Sequence, residues 1–408
     1  MALGVSRIET RPCGDSILCL QPSFDGPSPP FKQNNILSKS ILFAASTLAM
    51  AALTSSTASA QGDVLAQEPE SKWSVNGDFR FRLEFNDNSG SVDRHRQRMR
   101  FRVGGTYQFS DRVTLGVRAI TGNADDPNNP HVDLGGVFDS FEVSLDRLYF
   151  EYRPTEVKGL TVIGGKFNNP ITRNPVYGEL VWDADIQPEG LALVYGCQEG
   201  CGILDGMRVY GAQFAVLEQG GGEEAWASLI GFDLKKKTGD DSRIDFGASY
   251  TFFGDLTPDG SAGAITGDLN GNAMTGTELT SDFGILDAVA AFNINNFVVS
   301  AEMINNVRAA GGVGDTGMAI GAAVKTEMGK FYYNYATVEQ DAVLSAFAQD
   351  DMLLTTNFDS HMLGWKLPLT ENSGLHVWVM ASEPNDAAVS TAANDTVYRF
   401  RIDWNLNF

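Results

Sequence analysis

Cysteine and histidine are both scarce in this chain, with four of each in 408 residues. Cys13 and Cys19 lie in the N-terminal stretch, so only Cys197 and Cys201 remain in the body of the protein. That excludes a disulfide-dense scaffold and a cysteine-rich zinc module. Positive charge is also short, with 30 basic against 51 acidic residues, a net charge of −21. Nucleic acid is therefore excluded as a partner, and so is a polybasic membrane-docking surface. The one long apolar run, about Ile41 to Leu53, is too short to span a bilayer as a helix. After Trp73 no helical period of useful length appears, and an α-helical membrane protein drops out with it.

What is present begins with an export signal. The Ile41–Leu53 run follows Lys32 and Lys39 and precedes Ala58-Ser59-Ala60. A basic flank, a short apolar core and an A-x-A site make a secretory signal peptide, with cleavage expected before Gln61. Residues 1–30, with Pro22, Pro27, Pro29 and Pro30, read as an over-long start or a leader with no role in the mature fold. Removing residues 1–60 leaves 26 of the 30 basic and 48 of the 51 acidic residues, a net of −22. In an oxidising compartment the Cys197-x-x-x-Cys201 spacing most simply closes a small local disulfide. No histidine is near it in sequence, so no metal is expected there.

Residues 61–72 form a polar lead-in, and 73–408 form a series of short alternating runs. Phe79, Phe81, Leu83 and Phe85 alternate with Arg80, Arg82 and Glu84. In the last run Tyr398, Phe400, Ile402, Trp404, Leu406 and Phe408 share one parity, and Arg399, Arg401, Asp403, Asn405 and Asn407 the other. Side chains alternate across a strand, so one face is oily and the other polar. The edge strand of a soluble sandwich alternates in the same way. The connections separate the two readings. Short ones (110–111, 156–158, 295–296, 328–329, 371–373) take turns with long ones rich in Gly, Asp and Asn (121–140, 168–188, 254–281, 339–356, 383–394). Tight periplasmic turns and large external loops are how a transmembrane barrel is strung. The expected fold is all-β, a transmembrane antiparallel β-barrel of about sixteen strands, with the runs near 189–217 and 357–382 ambiguous in face.

Two features carry chemistry. Arg80, Arg82, Arg96, Arg98, Arg100, Arg102 and Arg118 would form a lumenal wall that steers anions, or else a solvated strand face. Four arginines on alternate positions of one strand repel, so they want counter-charges or a field to make. The segment at about 168–188 holds Pro170, Pro175 and Pro188 and cannot be a regular strand. Folded inward, its neighbourhood of Glu179, Asp183, Asp185 and Glu189 would oppose the arginines as a constriction; as a lid or packing loop it would not. Gly311-Gly312-Val313-Gly314-Asp315 and Asp268-x-Asn270-x-Asn272 only partly resemble calcium loops, and both read as external loop whose carboxylates hold divalent ions loosely at most.

The stretches Gly77–Glu84, Arg96–Gly104, Leu145–Tyr149, Gly165–Pro170 and Leu180–Leu191 together resemble the "putative porin" family of Gram-negative outer-membrane proteins. The resemblance covers about 73–195 and continues beyond only as strand-and-turn rhythm and the terminal Phe408. It implies a multi-pass diffusion channel in the outer membrane, surrounded by lipid and lipopolysaccharide, and a homotrimer by analogy with general porins. Trp404 and Phe408 would then address the barrel-assembly machinery. Small hydrophilic solutes are the expected cargo, and no cofactor, metal, catalysis or nucleic acid is expected. An adhesin or anchor is the alternative. An enzyme would have to use His95, His131, His361 or His376, of which Ser91-x-Asp93-x-His95 is the one arrangement posed for it.

Overall fold

The computed structural model describes residues 72–408 apart from 88–91, 198–200, 219–223, 257–270, 277, 353, 387 and 390–395. The signal peptide expected over 1–60 and nearly all of the lead-in lie outside the described residues.

Sixteen long strands carry the fold. They are β1 (Lys72–Asp87), β2 (Arg94–Gln108), β3 (Val113–Thr121), β4 (Val143–Tyr152), β5 (Leu160–Lys166), β6 (Glu189–Cys197), β7 (Gly206–Leu217) and β8 (Ala225–Gly239). They continue as β9 (Ser242–Gly254), β10 (Gly284–Ile294), β11 (Phe297–Asn306), β12 (Thr316–Thr326), β13 (Gly329–Val338), β14 (Phe358–Thr370), β15 (Ser373–Pro384) and β16 (Val397–Asn407). Each pairs antiparallel with its neighbours in sequence, and β1 pairs with β16, from Asp78 opposite Asn407 to Asp87 opposite Tyr398. The sheet is therefore a closed barrel with no free edge. Closure matters because an unpaired N–H or C=O in hydrocarbon costs several kcal/mol.

The seam is finished by Phe408, which exchanges both backbone hydrogen bonds with Gly77 (2.9 and 3.1 Å). Its ring lies where a Cβ on residue 77 would sit, 2.4 Å from the built position, so glycine is required there. Trp404 meets Phe79 edge-on at 6.3 Å across the same seam. The two terminal aromatics thus belong to the outer belt and to closure.

The alternation reads directly as outside and inside. Phe85, Ile230, Phe292, Val299, Met303, Ile320, Leu363 and Phe400 are exposed around the circumference. Their inward neighbours Arg82, Glu84, Thr251, Glu302, Arg401 and Asp403 are buried. A continuous exposed apolar belt on a monomer marks a membrane or protein interaction surface; wrapped around a closed barrel, it is the lipid face. One rim carries the short connections, and the Cys197–Cys201 disulfide lies there at the end of β6. The other rim carries the long loops, including 122–142, 167–188 and the described residues of 339–357.

The runs ambiguous in face resolve as β6, β7, β14 and β15. Their inner faces are partly apolar, with Tyr210, Phe214, Met362, Trp378 and Met380 all buried. The reason is that two long loops fold into the barrel and pack there. Phe167, Ile171, Leu180, Val181, Trp182 and Ile186 of one loop and Ala342, Val343, Leu344 and Met352 of the other join Phe214, Leu229, Phe253 and Ile285 of the wall in one apolar cluster. At roughly 1.5–3 kcal/mol for each large side chain buried, this cluster is what holds the loops inside.

Candidate functional site

The 167–188 loop leaves β5 at Lys166 and returns at Glu189, residues directly paired in the sheet. Three prolines forbid a further strand, so its backbone groups are satisfied by local turns and side chains. Asp183 caps Asp185, accepting its backbone N–H at 2.6 Å. Arg173 donates to the carbonyls of Gly178 (2.9 Å) and Trp182 (2.8 Å). The Trp182 ring stacks on Phe347 of the second inward loop at 5.1 Å, and Asp183 donates its N–H to the Phe347 carbonyl at 2.8 Å. The second loop is pinned in turn by Asp341, which accepts from Ala273 N (2.8 Å) and Ser281 Oγ (2.5 Å).

Between these loops and the β1–β2–β16 wall lies a cavity of about 400 Å³. Arg80, Arg82, Arg100 and Arg102 line one side, and Glu179, Asp183, Asp185, Asp350 and Asp351 come from the loops. Arg173, Lys366 and Asp403 complete a lining of six cationic and six carboxylate side chains. The arrangement sets cationic against acidic side chains across the cavity and is not a bare positive stripe.

Every member of the arginine wall has an acceptor. Arg82 grips Asp403 with two bonds of 2.7 and 3.0 Å. Arg80 donates to Asn405 at 2.8 Å. Arg100 and Arg102 share Asp78 (3.0 and 2.6 Å) and also share Asp185 of the loop (3.2 and 3.0 Å). Arg98 reaches Asp133 at 2.7 Å, Arg96 pairs with Glu84, and Arg118 pairs with Asp146. The repulsion that four alternate arginines would create is relieved by these carboxylates. Arg96, Arg98 and Arg118 face inward but do not line the cavity.

Of the four acidic residues expected at the constriction, Glu179, Asp183 and Asp185 come together in the cavity. Glu189 does not. It is the first residue of β6, exposed, and paired with Lys166 at 2.7 Å. The expectation for it is corrected: the loop ends one residue earlier, and register places its side chain by Lys166. The sequence reading missed Asp350 and Asp351, because nothing local to 339–357 says that a loop turns inward. Asp351 receives Arg401, whose guanidinium also lies over the Trp378 ring at 4.7 Å and bonds Glu84 at 2.5 Å.

Burial, reinforced by Asp351, pushes the Glu179 carboxyl up to about 7, and burial with Asp351 beside it pushes Asp350 to about 6. Burial and the adjacent Glu179 raise Asp183 well above the usual carboxylate range. Burial acts on Asp351 too, yet Arg401, Arg82 and Arg399 draw it below its ordinary value. His131, on the 122–142 loop, is held well below the ordinary imidazole value by burial and by Arg82, Arg80, Arg100 and Arg98.

Residues 69–217 match the family model described as "Putative porin". That span holds β1 to β7, the arginine wall and the first inward loop. The structure of OmpF from Salmonella typhi in complex with daunomycin is 12% identical, covers 83% of this chain and 98% of its own, and has a TM-score of 0.54. OprB from Pseudomonas putida, in a high-pH structure, is also 12% identical, covers 82% of this chain and 94% of its own, with a TM-score of 0.54. These likenesses show the fold. None of the curated proteins compared with the chain matches it.

Two histidines, His131 and His376, line the cavity, and two lie elsewhere. His95 faces outward against Phe85 at 5.3 Å, and His361 faces outward, where Tyr333 OH lies 2.7 Å from its Nδ1. His376 lines the cavity beside Tyr332 OH (2.9 Å). Ser91 of the Ser91-x-Asp93-x-His95 arrangement lies outside the described residues.

Proposed function

We propose that this protein is a porin of the Gram-negative outer membrane, a water-filled channel for passive diffusion of small hydrophilic solutes and ions, without catalytic activity. The observation that carries the reading is the charged cavity inside a lipid-faced barrel, with Arg80, Arg82, Arg100 and Arg102 opposite Glu179, Asp183 and Asp185. A field across a narrow wet passage orders dipolar solutes and sorts ions by charge. Purified protein in a planar bilayer is expected to give discrete conductance steps. A folded barrel that stays electrically silent would favour an adhesin or anchor instead.

The same reading makes the protein a homotrimer in lipid and lipopolysaccharide, delivered by the barrel-assembly machinery. Strand β5 has 7 residues, and β3 and β6 have 9 each. A tilted strand needs about 9–11 residues to cross the hydrocarbon, so β5 falls short while β3 and β6 only just reach. On this stretch of wall the outward Val117, Leu145, Leu148 and Leu193 are exposed. A second copy covering that face would remove the mismatch at β5. Native mass measurement in mild detergent is expected to give three chains, and a monomer there would refute the assembly without touching the channel.

A further inference from the structure

Behind the first inward loop the barrel wall carries two carboxylates that the channel does not use. Asp287 lies on β10 and Glu302 on β11, both facing inward and each 3% exposed. In the sheet Asp287 is opposite Ile304 and Glu302 is opposite Val289, so the two are diagonal neighbours on one face. Diagonal side chains in a sheet stand about 7–8 Å apart at their bases, within reach of one shared ion for Asp and Glu. Asp287 Oδ1 and Glu302 Oε2 are buried without a hydrogen-bond partner. Arg173, the guanidinium whose charge acts on Glu302, is committed to the carbonyls of Gly178 and Trp182.

A second observation points the same way. Ser249 of β9 stands directly opposite Asp287, is 5% exposed, and its Oγ is also buried without a partner. Asn174 of the loop, 4% exposed, has its Nδ2 buried without a partner. Its carbonyl oxygen meanwhile accepts from Ser300 Oγ (2.7 Å) and Val176 N (3.0 Å). Buried polar atoms are overwhelmingly satisfied in native proteins, and an unpaired buried carboxylate is costly.

We propose that Asp287 and Glu302 hold one divalent cation of the calcium class, with Ser249 Oγ as a neutral ligand, behind the loop that Asn174 ties to Ser300 of the same strand as Glu302. Two carboxylates and one divalent ion are neutral together, whereas a monovalent ion would leave a net charge in a low-dielectric site. All the donors are oxygens, which a hard cation takes at about 2.3–2.6 Å, and calcium tolerates irregular geometry where magnesium does not. Among the described residues no cluster of three acidic, histidine or cysteine side chains exists, so the site depends on the hydroxyl and on water.

The test uses the mature chain refolded in detergent micelles, stripped with a chelator and titrated calorimetrically with calcium chloride. The wild type is expected to bind one tight calcium per chain, and Asp287→Asn with Glu302→Gln to weaken that event at least a hundredfold. No tight calcium in the wild type overturns the proposal, and leaves the pair sharing a proton. Equal tight uptake by the double variant also overturns it, and assigns the ion to external carboxylates. Should the double variant not fold, Glu302→Gln alone is expected to weaken binding at least tenfold. The channel itself is tested separately, since conductance without calcium binding leaves the porin reading intact.

Discussion

Replacing Asp185 by Asn removes one negative charge where the loop meets the wall. Asp185 accepts from both Arg100 and Arg102, at 3.2 and 3.0 Å. Asp78 keeps bonds of 3.0 and 2.6 Å to the same two guanidiniums, so neither is left without a partner. The loop is also held by the buried Phe167, Leu180, Val181 and Trp182, so it stays in place. The change is therefore electrostatic: one net positive charge gained beside the pore. Taking about 7 Å between that charge and a passing ion, Coulomb's law in water gives about 0.6 kcal/mol. A Debye length of about 10 Å at 0.1 M salt halves this to about 0.3 kcal/mol. The effect has opposite sign for chloride and potassium, so their permeability ratio is expected to rise roughly threefold in favour of chloride. The assay is the reversal potential across a potassium chloride gradient in a planar bilayer. A ratio unchanged, or moved towards potassium, would refute the placement of Asp185 at the conducting passage.

Other outcomes follow from the same geometry. Neutralising Arg100 and Arg102 to Gln, with or without Arg98, is expected to move the reversal potential towards cations; an unchanged value would remove the arginines from the conduction path. Glu179 and Asp350, raised to about 7 and about 6, are acids that take up protons as pH falls from 8 to 5. Each protonation deletes a negative charge, so anion selectivity should grow on acidification, and Glu179→Gln with Asp350→Asn should flatten the profile. Deleting 170–186 leaves five residues to join Lys166 and Glu189, which are paired, so the barrel can close. Unit conductance should rise, and an unchanged or lower value with intact folding would put the loop outside the pore. Trp182→Ala should cost about 3–5 kcal/mol of packing at the junction of the two loops. It should make single-channel currents noisier, whereas a quiet, unaltered trace would deny the Trp182–Phe347 stack its anchoring role.

The arginine wall shows where reading a strand's period works. Arg80 and Arg82 of β1 and Arg96 to Arg102 of β2 alternate with Phe and Met, and their inward placement follows from a period of two alone. Their partners are another matter. Asp403 on Arg82 is 321 residues away, and Asp185 on Arg100 is 85 away. Such pairs exist only once the barrel is closed and the loop is inside.

Alternation and turn spacing come from nearest neighbours along the chain, and these made the barrel, its strand number and its oily exterior readable from the residues in order. The alternation blurs at β7, β14 and β15 because loop side chains cover Tyr210, Phe214, Met362 and Met380 from within. Whether a loop lies in the lumen depends on matching its apolar side chains to a distant wall, as Trp182 and Phe347 match Phe214 and Phe253. That complementarity has no local period. Only the folded chain could place Asp350 and Asp351 at the constriction, return Glu189 to its strand, and leave Asp287 and Glu302 as diagonal neighbours behind the loop.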